Sequence, residues 1–191
     1  MTSEDWWAEA VQTALSQGDI VTGLPLFSVL APVPFLTKKS IKGGQEAWIQ
    51  TEAPATTTTT PISALANGKM SAAIVLSHSC ELDKKRNGAR VLMAPVKPLG
   101  ELGLSEEAAA QVLQQQVFAL FPLPDVPGIG TVVADLRSTT SVPRAIVDDG
   151  TRIASMTTAA LRRLAAQLVG FYLRLELPAQ AVASVQVLPA E

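Results

Sequence analysis

The single histidine and the single cysteine of this chain stand two residues apart, in the run His78-Ser79-Cys80-Glu81-Leu82-Asp83. On an extended backbone, residues i and i+2 face the same way about 7 Å apart. That spacing lets the imidazole of His78 polarise the thiol of Cys80 and turn it into a nucleophile. Two other readings fit the same residues: Cys80 as a small apolar filler at a strand end, or as a redox-responsive or partner-facing thiol. Glu81 and Asp83 are acid and base candidates in one reading and turn caps in the other.

A basic run adjoins this cluster. Lys84, Lys85, Arg86, Arg90 and Lys97 follow with no acid between positions 84 and 97. In a hairpin they line one rim, which Lys38, Lys39, Lys42 and Lys69 extend. Such a patch suits phosphate contact, with Trp48 and Phe35 as base-stacking surfaces; a solvated turn is the alternative. RNA cleavage without a metal needs a base for the 2′-hydroxyl, an acid for the leaving oxygen and cations for the phosphate. His78, Cys80, Glu81 and Lys97 are the catalytic candidates, and Lys69, Lys84, Lys85, Arg86 and Arg90 the RNA-binding ones. Arg144 is placed for a salt bridge to Asp148 or Asp149. Arg162, Arg163 and Arg174 form a helix face that either meets an acidic partner or is merely solvated.

The composition removes other classes. With one Cys and one His in 191 residues, an internal disulfide is impossible and a Cys/His zinc site has no ligand set. Fifteen Lys+Arg against 17 Asp+Glu give a net charge of −2, so any attraction to nucleic acid must be local. Hydrophobic residues make up 48%, yet Pro, Gly or Lys interrupts every apolar stretch short of the ~20 residues that a spanning helix needs. The start, Met1-Thr2-Ser3-Glu4-Asp5, is acidic where a secretory signal is basic. A cytoplasmic protein, away from membranes, is expected. No Gly-x-Gly-x-x-Gly, Walker loop, His-Glu-x-x-His or Gly-x-Ser-x-Gly occurs, and no cofactor or metal is expected.

The elements that must position these residues follow from periodicity and punctuation. Trp7, Ala10, Val11, Ala14 and Leu15 predict an N-terminal helix over 3–17, ended by Gly18. Strands are expected over 20–30, 47–50, 72–77, 90–96, 131–136 and 151–155. The segment 51–68, which holds five consecutive Thr, reads as an inserted mobile loop, with a strand continuation as the alternative. Ser105-Glu106-Glu107 opens an inserted helix over 105–119. Three Pro and two Gly predict a loop over 121–130. An amphipathic helix from Ala159 to about Glu176 carries the stripe Leu161, Leu164, Leu168, Phe171 and Tyr172. The tally is α+β or mainly β: one domain over 1–191 with a small, strongly bent barrel core over 18–177 and a tail over 178–191.

Four landmarks occur in a telling order: Gly18-Asp19-Ile20, Ala73-Ile74-Val75-Leu76-Ser77, Val91-Leu92-Met93-Ala94-Pro95-Val96, and Val132-Val133-Ala134-Asp135-Leu136 leading through Val142-Pro143-Arg144 to a terminal helix. This succession resembles the MazF/PemK family of toxin-antitoxin toxins. The resemblance implies an SH3-like barrel, usually a homodimer, that cuts single-stranded RNA as a metal-independent endoribonuclease and binds an antitoxin protein. Where active members carry Arg-Pro and then a Ser or Thr, this chain has Gly68-Lys69-Met70-Ser71 and Lys97; Lys does not replace the bidentate fork of Arg and meets phosphate only as a point charge. A non-catalytic protein-interaction module on the same barrel, and a thiol enzyme or sensor using Cys80, are the alternatives.

Overall fold

Two apolar runs, residues 72–76 and 91–96, lie side by side at the centre of the fold, where Ala73, Ile74, Val75, Met93 and Ala94 are wholly buried. A computed structural model describes residues 6–29, 35–40, 46–51, 63–64, 66–82 and 89–173. In chain order the elements are strands β1 (Ile20–Val29), β2 (Phe35–Ser40), β3 (Glu46–Thr51), β4 (Ser63–Ala64) and β5 (Ala66–Val75), and the one-turn helix α1 (Ser79–Leu82). They continue with strand β6 (Arg90–Pro98), helix α2 (Glu106–Leu113), strands β7 (Leu120–Val126), β8 (Gly130–Asp135) and β9 (Thr140–Pro143), helix α3 (Arg144–Asp149), strand β10 (Thr151–Ala154) and helix α4 (Thr158–Leu173).

The chain groups into two units, one made of Met1–Leu24 and Ser71–Glu191 and the other of Pro25–Met70. In the second, β2 pairs antiparallel with β3, from Phe35↔Thr51 to Ser40↔Glu46, and its start also pairs with β4. Of the loop expected over 51–68, residues 51, 63–64 and 66–68 are strand, and the Thr run lies outside the described residues.

The class is α+β, with an antiparallel seven-stranded sheet in the order β10-β1-β5-β6-β8-β7 and β9 also on β6. β5 and β6 pair as expected, Ala73↔Pro95 through Val75↔Met93. The barrel-like sheet is not closed: its path ends at β10 and β7 without joining them. β7 occupies the stretch expected to be a loop. Its Pro122 and Pro124 lack a backbone N–H, and an end strand that pairs only with β8 tolerates them.

The N-terminal helix is not formed over residues 6–17. Trp6 and Trp7 are both buried, and Trp7 forms an isolated antiparallel bridge with Met156. Their backbone groups bond far along the chain instead. Ala8 N–H donates to Ser155 O at 2.8 Å and Thr157 N–H donates to Trp6 O at 3.0 Å. Trp6 lies tilted against Phe121, ring centroids 5.8 Å apart, with the Arg163 guanidinium 5.2 Å over its ring.

The inserted helix is capped by the Ser105 hydroxyl, which accepts from Ala108 N–H at 3.2 Å. It stops at Leu113, before the expected end at 119, because Gln115 turns left-handed at φ 59°. The last helix buries Ala160, Leu164, Gln167 and Gly170. Tyr172, expected on that stripe, is 54% exposed. Gln167 Nε2 donates to the carbonyls of Val117, Phe118 and Leu120 at 2.9–3.2 Å, fastening α4 to the start of β7. No helix among the described residues is long and apolar enough to cross a membrane.

Gly18 separates backbone strain from crowding. Its φ is +84°, and a Cβ there would sit 2.6 Å from Leu161 Cδ2; Gly23, at φ +74°, has nothing within 4 Å. Both Gly→Ala variants incur the left-handed penalty of about 1–2 kcal/mol. Urea unfolding should therefore show Gly18→Ala to be the less stable of the two by at least about 1 kcal/mol.

Candidate functional site

β5 ends at Val75, two residues earlier than its apolar pattern suggests, because Leu76 and Ser77 turn toward β6. The N–H groups of Leu76 and Ser77 both donate to Leu92 O, at 2.8 and 3.3 Å, and Leu92 N–H donates to the Ser77 hydroxyl at 2.8 Å. The chain then enters α1, whose Glu81 and Leu82 N–H groups donate to His78 O at 2.9 and 3.3 Å. His78 and Cys80 therefore sit on a helical turn, not on a strand. Their separation falls from the extended value of about 7 Å to a contact, His78 Nδ1 to Cys80 Sγ at 3.0 Å. Both side chains are exposed.

The backbone bears on the direction of that contact. Cys80 N–H also points at His78 Nδ1, at 3.3 Å, and an amide N–H can only donate. With Nδ1 as the acceptor, the ring proton is on Nε2 and the sulfur contact is S–H···N, the Cys80 amide and thiol then sharing one Nδ1 lone pair. The pair is an exposed thiol with a proton acceptor on its sulfur.

Neighbouring elements hold the turn at both ends. Ser79 Oγ accepts from Gln17 N–H at 3.3 Å, and Gln17 Nε2 donates to Leu76 O at 2.8 Å. At the far end Leu82 is buried and its carbonyl accepts from Arg144 at 2.9 Å. Arg144 is in turn fixed by Asp148, Nε to Oδ1 at 2.7 Å, one of the two partners expected for it. Its reach to Leu82 was not legible, since 62 residues separate the two.

Of the remaining candidates among the described residues, Glu81 shares this turn, while Lys97 and Arg90 meet other partners. Glu81 is exposed on α1. Lys97 lies five residues along β6 from Leu92, about 16 Å of strand, and its Nζ is 4.0 Å from Asp135 Oδ2. Arg90 donates through Nε to the Ser141 hydroxyl at 2.9 Å and through its terminal nitrogen to Ser141 O, so its guanidinium is engaged within the sheet. Lys69 is exposed in the second unit, where Trp48 is 53% exposed. Lys84, Lys85 and Arg86 lie outside the described residues, as does Asp83. No group of three or more His, Cys, Asp or Glu placed to hold a metal occurs among the described residues.

No family model matches the chain, and neither does any curated protein or solved structure. The MazF/PemK resemblance therefore rests on the landmark residues alone. The first and last of those landmarks each contain a buried carboxylate, Asp19 and Asp135. Burial raises the Asp135 carboxyl, but the Arg137 side chain and amide, the Arg137 charge and the Lys97 charge outweigh it and hold the group below the usual carboxylate range. For Asp19 burial wins. It pushes the carboxyl upward against the Ser155 hydroxyl, the Ser16 amide and the Arg152 guanidinium.

These opposite directions have opposite signs in stability. Asp135 contributes stability above its ordinary value of 3.8 and loses it as pH falls through the lowered folded value. Asp19 is most favourable to the fold below 3.8 and becomes costly as pH rises through its raised folded value. Between about pH 3 and 7, the stability of wild type minus that of Asp135→Asn should rise with pH, whereas wild type minus Asp19→Asn should fall. Chemical denaturation across that range measures both slopes.

Proposed function

We propose that the chain works through Cys80 as a surface nucleophile, with His78 as the general base that takes the thiol proton. The observation that carries this reading is the 3.0 Å contact between His78 Nδ1 and Cys80 Sγ on an exposed turn. In the attack, the Sγ lone pair forms a bond to an electrophilic carbon or sulfur of the substrate, the substrate's leaving group departs with its electron pair, and the Sγ proton passes to Nδ1. Since Cys80 is the only cysteine, any disulfide that it forms must be with an external thiol or a second molecule.

Iodoacetamide tests this without a known substrate, because labelling of the native protein reports Cys80 alone. The native thiol should react faster than a fully exposed cysteine in a peptide of the same local sequence. His78→Ala should slow alkylation by about tenfold or more. Equal rates for wild type and His78→Ala would sink the reading. Cleavage or retardation of mixed-sequence RNA at low salt, lost in Lys97→Ala and kept in Cys80→Ser, would favour single-stranded RNA engagement instead.

A further inference from the structure

We infer that Gln17 is a positioning residue for the His78–Cys80 pair, an inference that rests on the thiol reading above. Gln17 bonds on both sides of His78: its side chain donates to Leu76 O at 2.8 Å and its backbone N–H to Ser79 Oγ at 3.3 Å. One residue thus spans the stretch that sets where the imidazole begins and where the cysteine follows. A contact of 3.0 Å between side chains two residues apart survives only if the backbone between them is held, so these bonds bear directly on the geometry of proton transfer.

Gln17 can act in this way because its own segment is immobilised. Arg152 donates through both terminal nitrogens to Gln12 O and Thr13 O, each at 2.8 Å. Gln12 N–H donates to Ser155 Oγ at 3.1 Å, and Ser16 N–H donates to Asp19 Oδ2 at 2.9 Å. Immediately after Gln17, the N–H of Gly18 donates to Val75 O at 2.9 Å, and the crowding around Gly18 admits no side chain. From the opposite side, β6 fixes Leu76 and Ser77 through Leu92. The turn is held between β6 and the segment 12–18, and Gln17 is the contact on the second side.

A double-mutant cycle on alkylation rate isolates this role. Gln17→Met keeps the length of the side chain and removes its donor. Second-order iodoacetamide rates are measured for wild type, His78→Ala, Gln17→Met and the double variant, each confirmed as folded by circular dichroism. In the wild-type background, removal of His78 should slow alkylation about tenfold or more; in the Gln17→Met background it should change the rate less than about twofold. A role confined to stability would lower the unfolding temperature and leave the His78 effect at full size, and that outcome would overturn this inference alone. Equal rates for wild type and His78→Ala would overturn the thiol reading and this inference with it. If Gln17→Met does not fold, Ser79→Ala, which removes the acceptor of the Gln17 backbone N–H, carries the same comparison.

Discussion

Strand β6 meets three neighbours with nine residues, and nearly everything else takes its position from it. Met93, Ala94 and Pro95 pair with β5, Arg90 to Met93 with β9, and Val96 to Pro98 with β8. Val91 and Met93 point to one face of the sheet and Ala94 and Val96 to the other, and all four are buried. A strand covered on both faces tolerates no slip in register, since a shift by one residue exchanges the side chains of its two faces. Here Arg90 and Lys97 stand at the exposed ends of that buried stretch. The turn carrying His78 and Cys80 hangs from the same strand through Leu92, so whatever fixes the sheet fixes the floor of the candidate site.

The second fixed point is the turn at Gly18 and Asp19. Asp19 is fully buried, accepts from Ser16 N–H and lies 3.6 Å from an Arg152 nitrogen. The upward push on its carboxyl means that these partners do not fully offset desolvation. A buried carboxylate of this kind is a poor source of stability. What it does is tie the segment before β1 to the sheet, because the oxygen that accepts from the Ser16 amide also lies beside Arg152. Asp135 is the contrasting case. Arg137 donates to it through Nε, a terminal nitrogen and the backbone N–H, and Ser138 adds its hydroxyl, so the negative charge is well matched where it stands. Its lone pairs are occupied by structural donors, and with it Lys97 is drawn into the end of the sheet.

The elements legible in the sequence are those whose pattern is local. The apolar runs of β5 and β6, the Ser105 cap of α2 and the apolar spacing of α4 each carry their own signal. The N-terminal segment has helical spacing, yet Trp6 and Trp7 find the core by bonding to residues 155–157, and such distant partners leave no local trace. Prolines at 122 and 124 read as loop because the sequence does not say that the strand would lie at a sheet end. At the site, the spacing of His78 and Cys80 was visible and its meaning was not: Ser77 turns back to β6, and the chain coils where extension was expected. Gln17 and Arg144 were illegible as supports, since they reach the turn from 59 and 62 residues away.

That coil also determines the kind of chemistry the thiol reading entails. In a strand the two side chains would share a face without touching, whereas one turn of helix brings Nδ1 against both Sγ and the amide of Cys80. In that reading a thiol proton that passes to Nδ1 crosses only the 3.0 Å of this contact. A nucleophile built this way depends on orientation more than on stored charge. Held by Leu92 from one side and Gln17 from the other, the turn takes that orientation from hydrogen bonds to β6 and to the segment before β1, which contribute no reactive group of their own.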